Sequence, residues 1–154
     1  MSKSAAMPAE SLVPFEVTLH VRDHCLCLHM QRAARALARL FDEALRPLGL
    51  TNQQFSLLMS LNRPEPPSIA PVASLLGMDR TTLTAALKPL ERRGLVNVAP
   101  GEKDRRSRLL AITPEGIALL AEAVPIWRRT HDAVDSRLAD PEPERLRQAL
   151  RAMS

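Results

Sequence analysis

Two cysteines, Cys25 and Cys27, are all the sequence contains, and with one residue between them they cannot staple a fold. A disulfide framework is excluded, which suits a reducing compartment. Long apolar runs are also missing. No stretch approaches the roughly 18 residues that a membrane-spanning helix needs, so no membrane association is expected. The first residues, Met1 to Pro14, carry Lys3 but nothing like the apolar centre of a secretory signal, and the expectation is a loose arm on a cytoplasmic protein. Neither a phosphate-cradling loop nor a nucleophile beside a general base is present, so neither enzymatic activity nor a cofactor is expected. Aromatics are sparse: no Tyr, three Phe and a single Trp, Trp127, whose large ring is expected at an interface.

What is present is enough for one core. The 154 residues are 45% hydrophobic, which fits one domain or one domain plus an oligomerisation arm. Twenty-one Lys and Arg stand against 17 Asp and Glu, a net charge of +4. That balance permits a polyanionic partner, and only the placement of the arginines makes it informative.

Apolar residues recur at Leu26, Met30, Ala33, Leu37, Leu40, Phe41, Ala44, Leu45 and Leu48, the spacing of one face of a long helix. Thr51 and Gln54 form a capping box, with Leu50 and Phe55 as a hydrophobic staple, so a second helix starts there. It ends before Arg63-Pro64-Glu65-Pro66-Pro67. Ser68 is placed to cap a third helix that Gly77 ends, and Asp79 caps a fourth running to Gly94, bent by Pro89. Leu95 to Ala99 and Leu109 to Ile112 read as a hairpin. Thr113-Pro114-Glu115 opens a long helix kinked at Pro125, and Asp140-Pro141-Glu142 opens a last one. The chain is therefore mainly α with one small β-hairpin. The amphipathic helices at its two ends cannot bury their stripes on the central unit alone, and pairing with a second copy is the economical solution.

The stretch from Ser68 to Arg108 carries the function. Two short helices are joined by three residues, and a hairpin with an arginine-rich tip follows. With Leu83, Leu87 and Leu90 turned inward, Arg80, Thr81, Thr84, Ala85 and Lys88 fall on the opposite side of the second helix. An α-helix fits the DNA major groove, where Arg takes guanine and a Thr methyl touches thymine, while Lys88 suits phosphate. The hairpin tip gathers Lys103, Arg105, Arg106 and Arg108 around Glu102 and Asp104, a composition suited to a narrow minor groove. Asp104 can hold one guanidinium by a bidentate pair. The competing explanations are an ordinary solvated helix face and a soluble turn.

This stretch resembles the MarR regulators, through the helix-turn-helix "SIAPVASLLGMDRTTLTAALKPLERRGLV", the wing "DRRSRLLAITPEG" and the lead-in "LGLTNQQFSLL". The resemblance implies a winged helix-turn-helix lobe over residues 51–113, a flexible arm over 1–22, and dimerisation helices over 23–50 and 114–154. It implies a homodimeric transcription regulator, expected to be a repressor, on a pseudo-palindromic duplex operator. Ser68, Arg80, Thr81, Thr82, Thr84, Lys88, Lys103, Asp104, Arg105, Arg106 and Arg108 are the DNA-binding candidates. Arg106, with Arg105 beside it, matches the wing arginine of the family and Asp104 its supporting acid. Ala85 departs from the basic or amide residue of many relatives, which leaves base preference open.

Members of the family release DNA when a ligand binds or a cysteine is oxidised, and both routes stay open here. Cys27, by its spacing from Thr51, resembles the reactive cysteine of the organic-hydroperoxide-sensing branch, with Cys25 beside it. The tyrosines that support that thiolate and the branch's second cysteine are missing. Phe15, His20, Met30, Trp127 and His131 are candidates to line a pocket for a small, aromatic effector. His24, Cys25, Cys27 and His29 invite comparison with a metal site. Cys25 and His29 share a helix face at i and i+4, but two ligands fall short of the four of a structural zinc, so no metal is expected.

Overall fold

The computed structural model describes residues 12–101 and 107–154. Its elements are α1 (Phe15–His24), α2 (Leu26–Leu45), a 3₁₀ turn (Arg46–Leu48), α3 (Asn52–Leu61), α4 (Ile69–Leu76), α5 (Arg80–Arg92), β1 (Val96–Pro100), β2 (Arg108–Ile112), α6 (Pro114–Asp135) and α7 (Pro143–Arg151). The chain is mainly helical with one antiparallel hairpin, the class its sequence pattern implies. It divides into one unit ending at Leu37 and a second, Ala38–Ser154, and each is taken by itself.

In the first unit the arm expected over residues 1–22 is helical from Phe15. Pro14 fixes the entry at φ −57° and ψ 148°, and Glu16 in the first turn with Arg22 and His24 in the last complement the helix dipole. None of the side chains of α1 is buried. Cys25, at φ −72° and ψ 103°, ends the helix, and α2 starts at the next residue.

The second unit holds the core. Leu45, Leu57, Leu58, Leu83, Leu90 and Leu110 are 0% exposed, drawn from three helices and the hairpin into one cluster. The capping box of α3 forms as its sequence dictates: the Thr51 hydroxyl accepts from the Gln54 amide, and Gln54 Oε1 accepts from the Thr51 amide. Gly77, at φ 62°, takes the left-handed conformation that turns α4 into α5, and the Met78 amide donates to Ala73 at 2.9 Å. Ser68 occupies the N-cap of α4, but its side chain makes no capping bond there. Its backbone instead bridges to Leu109, and the Leu110 amide donates to Pro67 at 2.9 Å.

That attachment sets the hairpin's position. Val96 pairs with Ile112 and Pro100 with Arg108, so each strand includes one residue beyond its expected tip-side end. Both α5 and α6 run unbroken through Pro89 and Pro125. The last helix starts three residues after the expected cap, Asp140. Pro143 takes the first helical position and holds Glu142 extended at φ −53° and ψ 143°, because the ring of a proline disfavours helical backbone in the residue before it.

Thr113 joins the hairpin to α6. Its hydroxyl donates to the Gly94 carbonyl at 2.7 Å and accepts from the Gly116 amide at 3.0 Å. Gly116 lies so close to the hairpin that an added Cβ would meet the Leu95 carbonyl oxygen at 2.3 Å and Ile112 Cγ1 at 2.7 Å. Backbone cannot yield as a flexible side chain does. Gly116→Ala is therefore expected to destabilise the fold by about 2 kcal/mol, in spite of alanine's better helix propensity. Urea denaturation checks this, and unchanged stability would show that α6 and the hairpin do not approach so closely in solution.

Candidate nucleic-acid interface

The helix pair is built around one buried stripe. Leu83, Leu87 and Leu90 are at most 2% exposed, so the rest of the circumference of α5 has to face outward. Arg80, Thr81, Thr82, Thr84, Ala85 and Lys88 are all exposed. The first turn is locked by Asp79, whose carboxylate accepts from the Thr82 amide at 2.8 Å and from its hydroxyl at 2.6 Å. These bonds from Thr82, side chain first, hold the Asp79 carboxyl below its ordinary value of 3.8. Thr82 is therefore committed to the cap, a role the outward face alone does not reveal. The Thr84 hydroxyl donates back to the Arg80 carbonyl at 2.7 Å, which leaves its methyl group as the outward feature.

Arg108 stands exposed at the tip-side end of the strands, where it pairs with Pro100. It shares with Thr84 and Lys88 a cleft of about 240 Å³ between α5 and the strands, walled by Ile69, Leu87 and Val98 and entered also by Glu91. The structure thus brings three candidate residues, from two elements, to one place. Glu91 escaped the sequence analysis, although it lies one turn beyond Lys88 on the same side of the helix. Lys103, Asp104, Arg105 and Arg106 lie outside the described residues. Ser68 is half-buried beside the hairpin.

A second cavity, of about 450 Å³, opens between α3, α4 and α6. Phe55, Met59, Leu75 and Trp127 give it apolar walls, and Arg128 is its charged lining residue. Trp127 stacks on Phe55 with ring centroids 6.1 Å apart and lies 4.8 Å from His131. The expected effector-pocket set is therefore divided. Trp127 lines this cavity and His131 packs behind it, whereas Phe15, His20 and Met30 belong to the first unit, where His20 stacks on His24. The sequence pattern missed Met59 and Leu75 because both read as ordinary members of apolar helix faces.

In the first unit Cys25 is half-buried and its sulfur accepts from the Leu28 amide at 3.4 Å, which makes it a cap for α2. Cys27 is exposed, and Gln31 Nε2 donates to its sulfur at 3.2 Å.

The comparisons with known proteins agree with this architecture. Residues 50–107 match the family model described as MarR family. The organic hydroperoxide resistance transcriptional regulator of Bacillus subtilis is 31% identical over 101 residues, covering 66% of this chain and 69% of that protein. The crystal structure of the M. tuberculosis transcriptional regulator MosR in complex with DNA is 38% identical, covers 84% of this chain and 93% of its own, and superposes with a TM-score of 0.77.

The chain belongs to the MarR family.

It is a winged-helix DNA-binding transcription regulator and not an enzyme. A further relative of this MarR-family chain, the transcriptional activatory protein BadR of Rhodopseudomonas palustris, is 36% identical over 94 residues. That match covers 59% of this chain and 54% of BadR, so the chain aligns with about half the length of that relative.

The capped start of α5 yields a pH prediction. A carboxyl whose folded pKa is depressed stabilises the fold fully above its unfolded value, and that contribution disappears as pH falls through the lower, folded one. The Thr82 amide resonance, followed by NMR, is expected to titrate with a midpoint below 3.8. A midpoint at or above that value would mean that the cap is not formed in solution.

Proposed function

We propose that this MarR-family chain is a homodimeric, sequence-specific repressor acting in the cytoplasm, which places α5 in the major groove and its hairpin at the minor groove of a pseudo-palindromic operator. The observation that carries this is the exposed row of Arg80, Thr81, Thr84 and Lys88, backed by the buried leucines of the same helix and continued by Arg108 across the cleft. Arg80, at the first helical position, is the base-reading residue. Thr81 and the Thr84 methyl border it, and Lys88 and Arg108 take the backbone phosphate between the two grooves. Ser68 contributes beside Arg108, and Thr82 acts through the cap it forms with Asp79. Lys103, Asp104, Arg105 and Arg106 serve the minor groove, Asp104 steadying one arginine. That the similar regulator MosR is solved in complex with DNA supports duplex DNA as the partner.

Dimerisation is supported by apolar side chains left on the surface of the second unit: Ile117 on α6 is 41% exposed, Leu150 on α7 40%, and Met153 just beyond it 51%. The same holds within the first unit, where Leu26 is 59% and Leu37 42% exposed. Such residues need a partner surface. On this reading residues 51–113 form the DNA-binding lobe, with the helices of 23–50 and 114–154 making the dimer.

Two control routes have separate support. The cavity beside Trp127 suits a small aromatic molecule, stacking against the indole, with Arg128 at hand for an anionic substituent. Exposure of Cys27 makes its sulfur accessible to a hydroperoxide, and the hydroperoxide-resistance regulator among the relatives favours that route. Peroxide converts the Cys27 thiol to a sulfenic acid and is itself reduced to water, or to an alcohol if organic.

Mobility shifts on duplexes selected from a random pool test the interface. Arg80→Ala is expected to cost about 1–3 kcal/mol on the selected sequence and to relax preference at one base position. Arg106→Ala should weaken binding to all sequences and flatten its salt dependence. Wild-type behaviour of both variants would sink the assignment. Because Trp127 is the one tryptophan, a panel of aromatic carboxylic acids can be followed by its fluorescence. An effector is expected to quench that signal and weaken DNA binding at the same concentration. Treatment with tert-butyl hydroperoxide separates the routes: loss of DNA binding in wild type but not in Cys27→Ser assigns the switch to Cys27, and equal loss in both removes it.

A further inference from the structure

Arg93 closes the helix proposed to read DNA, and its side chain reaches away from that helix's outward row. Its backbone is the C-cap of α5, at φ −84° and ψ −1°. From there Nη1 donates to the Gly49 carbonyl at 2.7 Å and Nη2 to the Leu48 carbonyl at 3.5 Å. These carbonyls close the 3₁₀ turn that terminates α2, where backbone oxygens lack partners of their own and a cation is favoured. Gly49 is left-handed there at φ 63°, and an added Cβ would stand 3.6 Å from Arg93 Nη2. The end of α2 is itself firmly seated. Phe41 and Leu45 are buried, and Asp42 accepts from the Asn52 amide at 2.6 Å, tying α2 to the first turn of α3.

We infer that Arg93 is a positioning residue for DNA recognition: by gripping the end of α2 it sets the tilt of α5, and it touches no nucleotide. Apolar burial holds α5 against the core but is non-directional. A guanidinium fork on two carbonyls is directional. The lever is long, since 13 residues span about 20 Å at the ordinary helical rise. A tilt of about 5° pivoting at Arg93 moves Arg80 by about 2 Å, more than the tolerance of a hydrogen bond to a base edge. The inference rests on α5 being the recognition helix.

The test compares the duplex selected by wild type with a scrambled duplex of the same composition. Arg93→Ala is expected to lower affinity for the selected duplex about tenfold and for the scrambled one less than about twofold, because misaimed base contacts are lost and phosphate contacts kept. The salt slope should stay at the wild-type value. Arg93→Lys, which keeps the charge but not the fork, should resemble Arg93→Ala. Equal losses on both duplexes with a slope shallower by about 0.9, restored by Arg93→Lys, would make Arg93 a phosphate contact and overturn the inference. So would an unchanged ratio of the two affinities. If Arg93→Ala does not fold, Arg93→Gln, whose amide can still donate one bond to Gly49, carries the same comparison: a reduced ratio supports positioning and a wild-type ratio overturns it. Failure of the wild-type protein to select any duplex would instead strike the interface reading itself, and this inference with it.

Discussion

Burial of the leucine stripe of α5 is the constraint from which the interface follows. Leu83, Leu87 and Leu90 share one cluster with Leu57, Leu58, Val72 and Leu110, all at most 2% exposed. Each buried leucine contributes about 2 kcal/mol of apolar transfer, and truncating one to alanine leaves a cavity as well. No polar contact of the outward row competes with that. The helix is oriented by what it hides, and its accessible side has only to supply the chemistry that meets the groove.

Hydrogen bonds then refine a placement that the core has already chosen. Thr113 serves both the end of the α5 segment, at Gly94, and the beginning of α6, at Gly116, with one hydroxyl. The Pro67 carbonyl receives the Leu110 amide, which hangs the hairpin beside the entrance to α4. Arg93 does the same between α5 and the end of α2. Each of these bonds joins elements that apolar packing alone would let slide, because apolar attraction does not depend on angle. The cleft shared by Thr84, Lys88 and Arg108 is a product of both kinds of force: leucines set the distance and the hairpin's attachment sets the register.

Much of this was legible in the sequence where cause and effect lie within one turn. The box of Thr51 with Gln54, the cap of Asp79 on Thr82, and Thr113-Pro114-Glu115 all act over three or four residues, and all three start their helices where expected. The misplacements also have local reasons. Glu142 reads as part of a helix until the effect of Pro143 on the residue before it is weighed. Ser68 has the right side chain for a cap, yet its backbone is engaged by the hairpin. Thr82 reads as a DNA-binding candidate until its amide and hydroxyl are seen to bind Asp79.

The helix-turn-helix with its hairpin was determined by the sequence itself, because periodicity, caps and breakers work through neighbours at i+3 and i+4 and need no partner element. Tertiary structure alone decided the cavity beside Trp127, whose walls come from α3, α4 and α6. It alone decided that Arg108 shares a cleft with Lys88, and that Arg93 spans 44 residues to grip Gly49. Contacts at such separations depend on how layers pack, and an arginine in a run of exposed residues carries no mark of which carbonyl its guanidinium will reach.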